Sequence, residues 1–216
     1  MAHPVQRVAG FDRRRFAAPV GAMVADREIV SADLAGWWRR FAGDQPAIDA
    51  RNSDETVHLI VGETHGGAQL GAARLVPIIA PYSIDATAPQ PGDAGLPCAA
   101  DGWEIISLVT RPGLAPGAAE RVRQHLAVGI IEYGLARGIG YFTALIPMTS
   151  LPAMLSIGWD CAPLGLPQTV DGVATAPLAI TVDAAMARRL RDISGFGGLL
   201  LQRSPNGIGT GGATVF

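Results

Sequence analysis

Residues 103–138 read WEIISLVTRPGLAPGAAERVRQHLAVGIIEYGLARG, and the hydrophobic period changes once along them. WEIISLVT (Trp103 to Thr110) is apolar on both faces apart from Glu104 and Ser107, which predicts a strand covered on both sides. RPGLAPG (Arg111 to Gly117) predicts a turn. Apolar residues then return at Val122, Leu126, Ile130 and Tyr133 or Gly134, a helical spacing that stops at Gly138. The rest of the chain has to be arranged around this strand, turn and long helix.

Upstream, VHLIVGE and AQLGAARLVPII are two β-rich runs joined by the turn THGG, which predicts an antiparallel hairpin over 57–79. Between hairpin and strand, residues 80–101 are rich in proline and glycine and predict a long loop. Residues 22–41, AMVADREIVSADLAGWWRRF, have mixed three- and four-residue apolar spacing and predict one or two short helices. Downstream come a buried strand at IGYFTALI, a short helix around SLPAMLSIG, strands at GWDCAPLG and ATAPLAITV, and a helix over DAAMARRLRDI with Asp183 as N-cap. The order predicts an α/β protein, a three-layer α/β/α sandwich on a mixed, mainly antiparallel twisted sheet. One domain is expected through residue 193, followed by a Gly-rich, mobile tail over 194–216.

Composition narrows the function. Of 216 residues, 49% are hydrophobic and 17% charged, too apolar for a disordered chain, and no run reaches the length of a membrane span. Seventeen basic and 19 acidic residues leave a net charge of -2, so neither a nucleic-acid partner nor a membrane is expected. The basic start lacks a long apolar stretch and a cleavage site, which makes the cytoplasm the expected location. Cys98 and Cys161 form no CxxC and are expected to be reduced. The four histidines have no metal-ligand spacing, so no metal is expected, and His58 reads as a packed residue of its strand. A GxGxxG after the first strand and a P-loop are both absent from the sequence.

Four features bear on the chemistry. Glu104 is a carboxylate in an apolar strand and needs a partner or a polar cleft. Arg74 in LGAARLVP is a guanidinium in a strand and is a reasonable partner for it, either as a structural ion pair or as part of a site. Ser107 falls on the opposite face from Glu104 unless a bulge intervenes. The RPGLAPG turn leads into a helix N-terminus, whose free N–H groups suit a phosphate.

GWEIISLVTRPGL, EYGLARGIGYF, SIGWDCAPLGLPQTVDGVATAPLAITV and LGAARLVP together resemble the acyl-homoserine lactone synthases, over roughly residues 22–192. The resemblance implies a GNAT-like acyltransferase fold. It also implies an enzyme that moves a fatty acyl group from an acyl thioester to the amine of S-adenosylmethionine (SAM), lactonisation then releasing methylthioadenosine (MTA) and yielding a quorum-sensing autoinducer. SAM and acyl-CoA or acyl carrier protein would be substrates, with no tightly bound cofactor.

On the N-terminal helices the family pattern has an arginine, an aromatic and a tryptophan. Arg27 and Trp37 match by spacing, while the aromatic position falls on Ser31. An acidic pair becomes Asp49 with Asn52. Those five residues are the implied amine-side contacts; Glu104, Arg74 and Ser107 are the implied catalytic group. Ser107 stands where the family has an arginine, which implies a reshaped amine pocket. Leu108, Phe142, Ala144, Ile146, Met148, Met154 and Leu155 are candidates for an acyl tunnel, each equally suited to ordinary core. The segment PMTSLPAMLSIG lacks the basic residues that steer an acidic carrier protein, which favours acyl-CoA or a carrier docking through Arg121, Arg123 or Arg137. Two alternatives stay open: acylation of another amine, such as a lysine or ornithine side chain or a free amino acid, and a non-catalytic module that binds acyl thioesters.

Overall fold

Short runs of alternating and β-branched residues supply the strands, and two glycine-stopped segments supply the main helices. The computed structural model describes residues 5–9, 56–62, 69–78, 102–170, 172–196 and 201–202. Along it run strands β1 (Val5–Ala9), β2 (Val57–Gly62), β3 (Gln69–Pro77) and β4 (Gly102–Thr110), then helix α1 (Pro116–Arg137). Next come β5 (Tyr141–Pro147), a single 3-10 turn (Met148–Ser150), α2 (Leu151–Ser156), β6 (Cys161–Pro163), β7 (Gln168–Val170) and β8 (Val173–Thr181). Helix α3 (Ala184–Ser194) and β9 (Leu201–Gln202) complete the described elements.

The strands form one sheet in the order β6-β8-β5-β4-β3-β2-β1-β9, with β7 pairing to β8. Pairing is antiparallel except for β4 with β5 and β1 with β9. Parallel neighbours need a crossover, and α1 provides it between β4 and β5. A proline opens α1, and Gly138 at φ 68° closes it in the left-handed conformation that glycine adopts freely. Asp183 caps α3, its Oδ1 accepting from the Met186 N–H at 2.6 Å.

Cross-strand partners share a face, so the register sorts the sheet into two surfaces. Ala73, Leu75, Ile105, Leu108, Phe142, Ala144, Ile146, Leu178 and Ile180 lie on the surface that α1 and α3 cover. Leu126, Ile130 and Ile131 of α1 and Met186 and Leu190 of α3 close this core. The Glu132–Arg191 ion pair, 2.7 Å long with Glu132 buried, ties the two helices together. The helices expected within 22–41 and the loop expected over 80–101 lie outside the described residues.

Three strands go beyond the sequence-based expectation. β1, β7 and β9 have five, three and two residues, too few for periodicity to register. Beyond α3, Phe196 donates its N–H to the Arg191 carbonyl, and in β9 Leu201 and Gln202 pair with Val5 and Gln6. The rest of the expected tail is outside the described residues.

The α1 interface relies on Gly71, where a Cβ would sit 2.5 Å from Val122 Cγ1 and 2.8 Å from the Val109 carbonyl oxygen. Gly71→Ala is therefore expected to lower stability by about 1–3 kcal/mol, read as a reduced urea midpoint, because the Val109 backbone cannot yield as a side chain can.

Candidate active site

The site begins with one extra residue. Along β3 and β4 the partners run Arg74 with Ser107, then Leu75 with Ile105, then Val76 with Glu104, so Ile106 has no opposite number. This β-bulge cancels the alternation that would separate Glu104 from Ser107. Arg74 and Val76 share a face of β3; their partners Ser107 and Glu104 therefore share it too. His58 joins them as the β2 partner of Arg74, and Thr143 as the β5 partner of Glu104.

These five residues are all buried: His58 0%, Arg74 2%, Glu104 2%, Thr143 4% and Ser107 7% exposed. They occupy the surface of the sheet away from α1. Arg74 and Glu104 are diagonal neighbours, at a spacing that long side chains bridge. His58, Arg74 and Glu104 each make at least one interaction in the fold. Thr143 Oγ1 has no hydrogen-bond partner among the described residues.

The parallel pairing of β4 and β5 covers only Gly102 with Tyr141, Trp103 with Phe142, and Glu104 with Thr143. Beyond that point both strands continue, β4 to Thr110 and β5 to Pro147, without pairing to each other. They part like the arms of a V, and Glu104 stands at its apex. Backbone groups that a ladder would have used line the gap. At its open end the turn after β4 leads into α1, whose first turn holds no acidic residue and whose N-cap, Ala115, provides no side-chain hydrogen bond. Pro116 carries no N–H and Ala118 donates to the Ala115 carbonyl, which leaves Gly117 among the first three helical positions as a donor for an anion.

The acyl candidates take several places. Leu108 on β4 and Ala144 and Ile146 on β5 lie beyond the last β4–β5 pair, on the α1 side. Phe142 sits below the gap with no exposed surface, while Met148 and Met154 pack against the core from its edge. Leu155 is half exposed. Arg27, Ser31, Trp37, Asp49 and Asn52 lie outside the described residues. His58, read from the sequence as a packed residue, and Thr143 join this surface through their cross-strand partners, which the sequence alone does not display.

Cys161, on the core side of β6, does not offer a nucleophile. Burial, with help from Asp160 and against a smaller effect of Arg189, pushes its thiol up to about 11. Among the described residues no three His, Cys, Asp or Glu side chains gather as a metal site would require. No described helix is long and apolar enough to cross a membrane.

Two parallel strands that part at a carboxylate, joined by a helix starting at the open end, define a GNAT-like fold. Solved structures share it. The CoA-dependent acyl-homoserine lactone synthase BjaI, solved with SAM and isopentyl-CoA, matches at a TM-score of 0.75 and 18% identity over 94% of each chain. MesI, another CoA-dependent acyl-homoserine lactone synthase, matches at 0.61 and 19% over 91% of this chain and 98% of its own. FeeM, an N-acyl amino acid synthase from uncultured soil microbes, matches at 0.51 and 12% over 87% of this chain and 94% of its own. Identities this low establish the fold alone. No family model matches the chain.

With its thiol protonated across neutral pH, Cys161 should react slowly with iodoacetamide in the folded chain and quickly in urea. Peptide mass spectrometry resolved to Cys161 measures the difference.

Proposed function

We propose that this chain is an acyltransferase of the acyl-homoserine lactone synthase type. It moves a fatty acyl group from acyl-CoA to the amine of SAM, and lactonisation then releases MTA. The observation that carries the proposal is Glu104, a buried carboxylate at the last paired position before β4 and β5 separate.

A thioester lying in the gap has its carbonyl against unpaired strand backbone, where an N–H can receive the developing oxyanion. The pyrophosphate of CoA would rest at the α1 N-terminus, and the acyl chain would pass to the α1 side between Leu108, Ala144 and Ile146. The amine approaches from the polar surface. As its nitrogen attacks the carbonyl carbon, Glu104 accepts the proton, directly or through water, and the thiol of CoA leaves. Arg74 keeps Glu104 ionised and oriented. Arg27, Ser31, Trp37, Asp49 and Asn52 would complete the amine pocket.

The uncharged stretch from Pro147 to Gly158 favours acyl-CoA over acyl carrier protein as donor. The product would be a quorum-sensing signal, and the setting the cytoplasm, where both substrates are made. A second reading, N-acylation of a different amine, is favoured by Ser107, a small neutral residue where the resembled family carries an arginine.

Incubation with acyl-CoA and SAM should release free thiol and MTA together, with acyl-homoserine lactone detected by mass spectrometry. Thiol release with another amine and no MTA selects the second reading. Glu104→Gln should fold normally and lower kcat/KM by roughly a hundredfold or more; full activity in that variant would remove Glu104 from the reaction.

A further inference from the structure

The acyl-transfer steps give Thr143 no task, although it stands opposite Glu104 at the last β4–β5 pair. It is 4% exposed, and its Oγ1 makes no hydrogen bond among the described residues. Valine has nearly the same shape and would fill this strand position without a polar atom to satisfy. A buried hydroxyl with nothing to bond therefore points to a partner that arrives with a ligand. The row that holds it leads outward. Toward the sheet edge Thr143 pairs with Ala179 of β8 and Ala179 with Ala162 of β6, and along that row the side chains pass from buried through partly exposed to exposed. Methyl groups rise little above a sheet, so solvent reaches the surface immediately beside Thr143. Leu145, two residues along β5 on the same face, is also partly exposed, at a level where β4 and β5 no longer pair.

We propose that Thr143 is a catalytic residue that orients the attacking amine: its Oγ1 accepts from one N–H of the nitrogen while Glu104 takes the other. The assignment rests on the acyl-transfer reading and holds for SAM or for another primary amine. A neutral primary amine has two N–H bonds and one lone pair. Holding both N–H bonds fixes the lone pair, and acceptors on the polar surface leave it directed at a thioester carbonyl in the gap. The spacing suits this. Neighbouring strands run about 4.8 Å apart, and two acceptors bound to one tetrahedral nitrogen at about 2.9 Å each stand about 4.7 Å apart. Side chains from paired positions can span that separation. In the step itself the N–C bond forms, the C–S bond breaks, the proton passes from nitrogen to Glu104, and the sulfur leaves with the bonding pair as a thiolate. Thr143 keeps its own proton throughout.

Thiol release from acyl-CoA with SAM, lysine or ornithine tests the assignment in wild type, Thr143→Val and Thr143→Ser. Thr143→Val should lower kcat by roughly tenfold or more while the KM for acyl-CoA stays within about twofold of wild type. Thr143→Ser keeps the hydroxyl and should recover most of that loss. The melting temperature of Thr143→Val should not fall, because the substitution removes a buried hydroxyl that bonds to no described residue. A wild-type kcat in Thr143→Val overturns the assignment, and so does a Thr143→Ser variant as slow as Thr143→Val. Activity that falls together with the melting temperature in Thr143→Val also overturns it, since the side chain then acts through packing. Failure of the acyl-transfer reading looks different. Wild type that releases no thiol with any of these amines removes that reading and the role of Thr143 together, whereas wild-type turnover left unchanged by Thr143→Val removes the role alone.

Discussion

The unpaired Ile106 in β4 is the constraint on which the site depends. Without that bulge, strand alternation would turn Ser107 to the α1 core and leave Arg74 facing an apolar neighbour. With it, a cation, a carboxylate and a hydroxyl meet on one surface in the middle of an otherwise apolar sheet. Bulges disturb pairing and increase twist locally. Here the parallel pairing to β5 stops at Glu104, two residues before the bulge. The same stretch of β4 therefore gathers the polar groups and borders the gap in which a thioester can reach them.

The apolar surface makes this arrangement tolerable. Burying Arg74, Glu104 and His58 works against folding, and the opposite side of the sheet has to offset that cost. Phe142, Leu75, Leu126, Ile130, Ile131 and Ile180 are fully or almost fully buried between the sheet and α1. Close approach of the helix needs the missing side chains of Gly71 and Gly134, where a Cβ would meet Val122 and Val182. The Glu132–Arg191 pair and the capping of α3 by Asp183 hold the second helix in place over this core. Close packing on one side thus offsets the cost of a buried polar surface on the other.

What could be read from the residues follows from the length of the signals. The β2–β3 hairpin, β4, α1, β5 and α3 are long enough for periodicity and end signals to mark them. β1, β7 and β9 are not, and parallel addition of β9 to β1 depends on a contact between the two ends of the chain. Glu104 and Arg74 announce themselves as charges inside strands. Their shared surface does not, because a bulge is a property of two strands in register and WEIISLVT carries only one of them. Thr143 and His58 were harder still: a single threonine or histidine in an apolar strand is ordinary until its neighbours across the sheet are known.

A crystal structure of the chain with a non-hydrolysable acyl-CoA thioether decides most directly where the thioester lies. The sulfur should lie between β4 and β5 just beyond Glu104 and Thr143, with the Glu104 carboxylate within reach of the carbon attached to it. An analogue bound elsewhere on the chain, or a Glu104 side chain turned toward α1, would contradict the account.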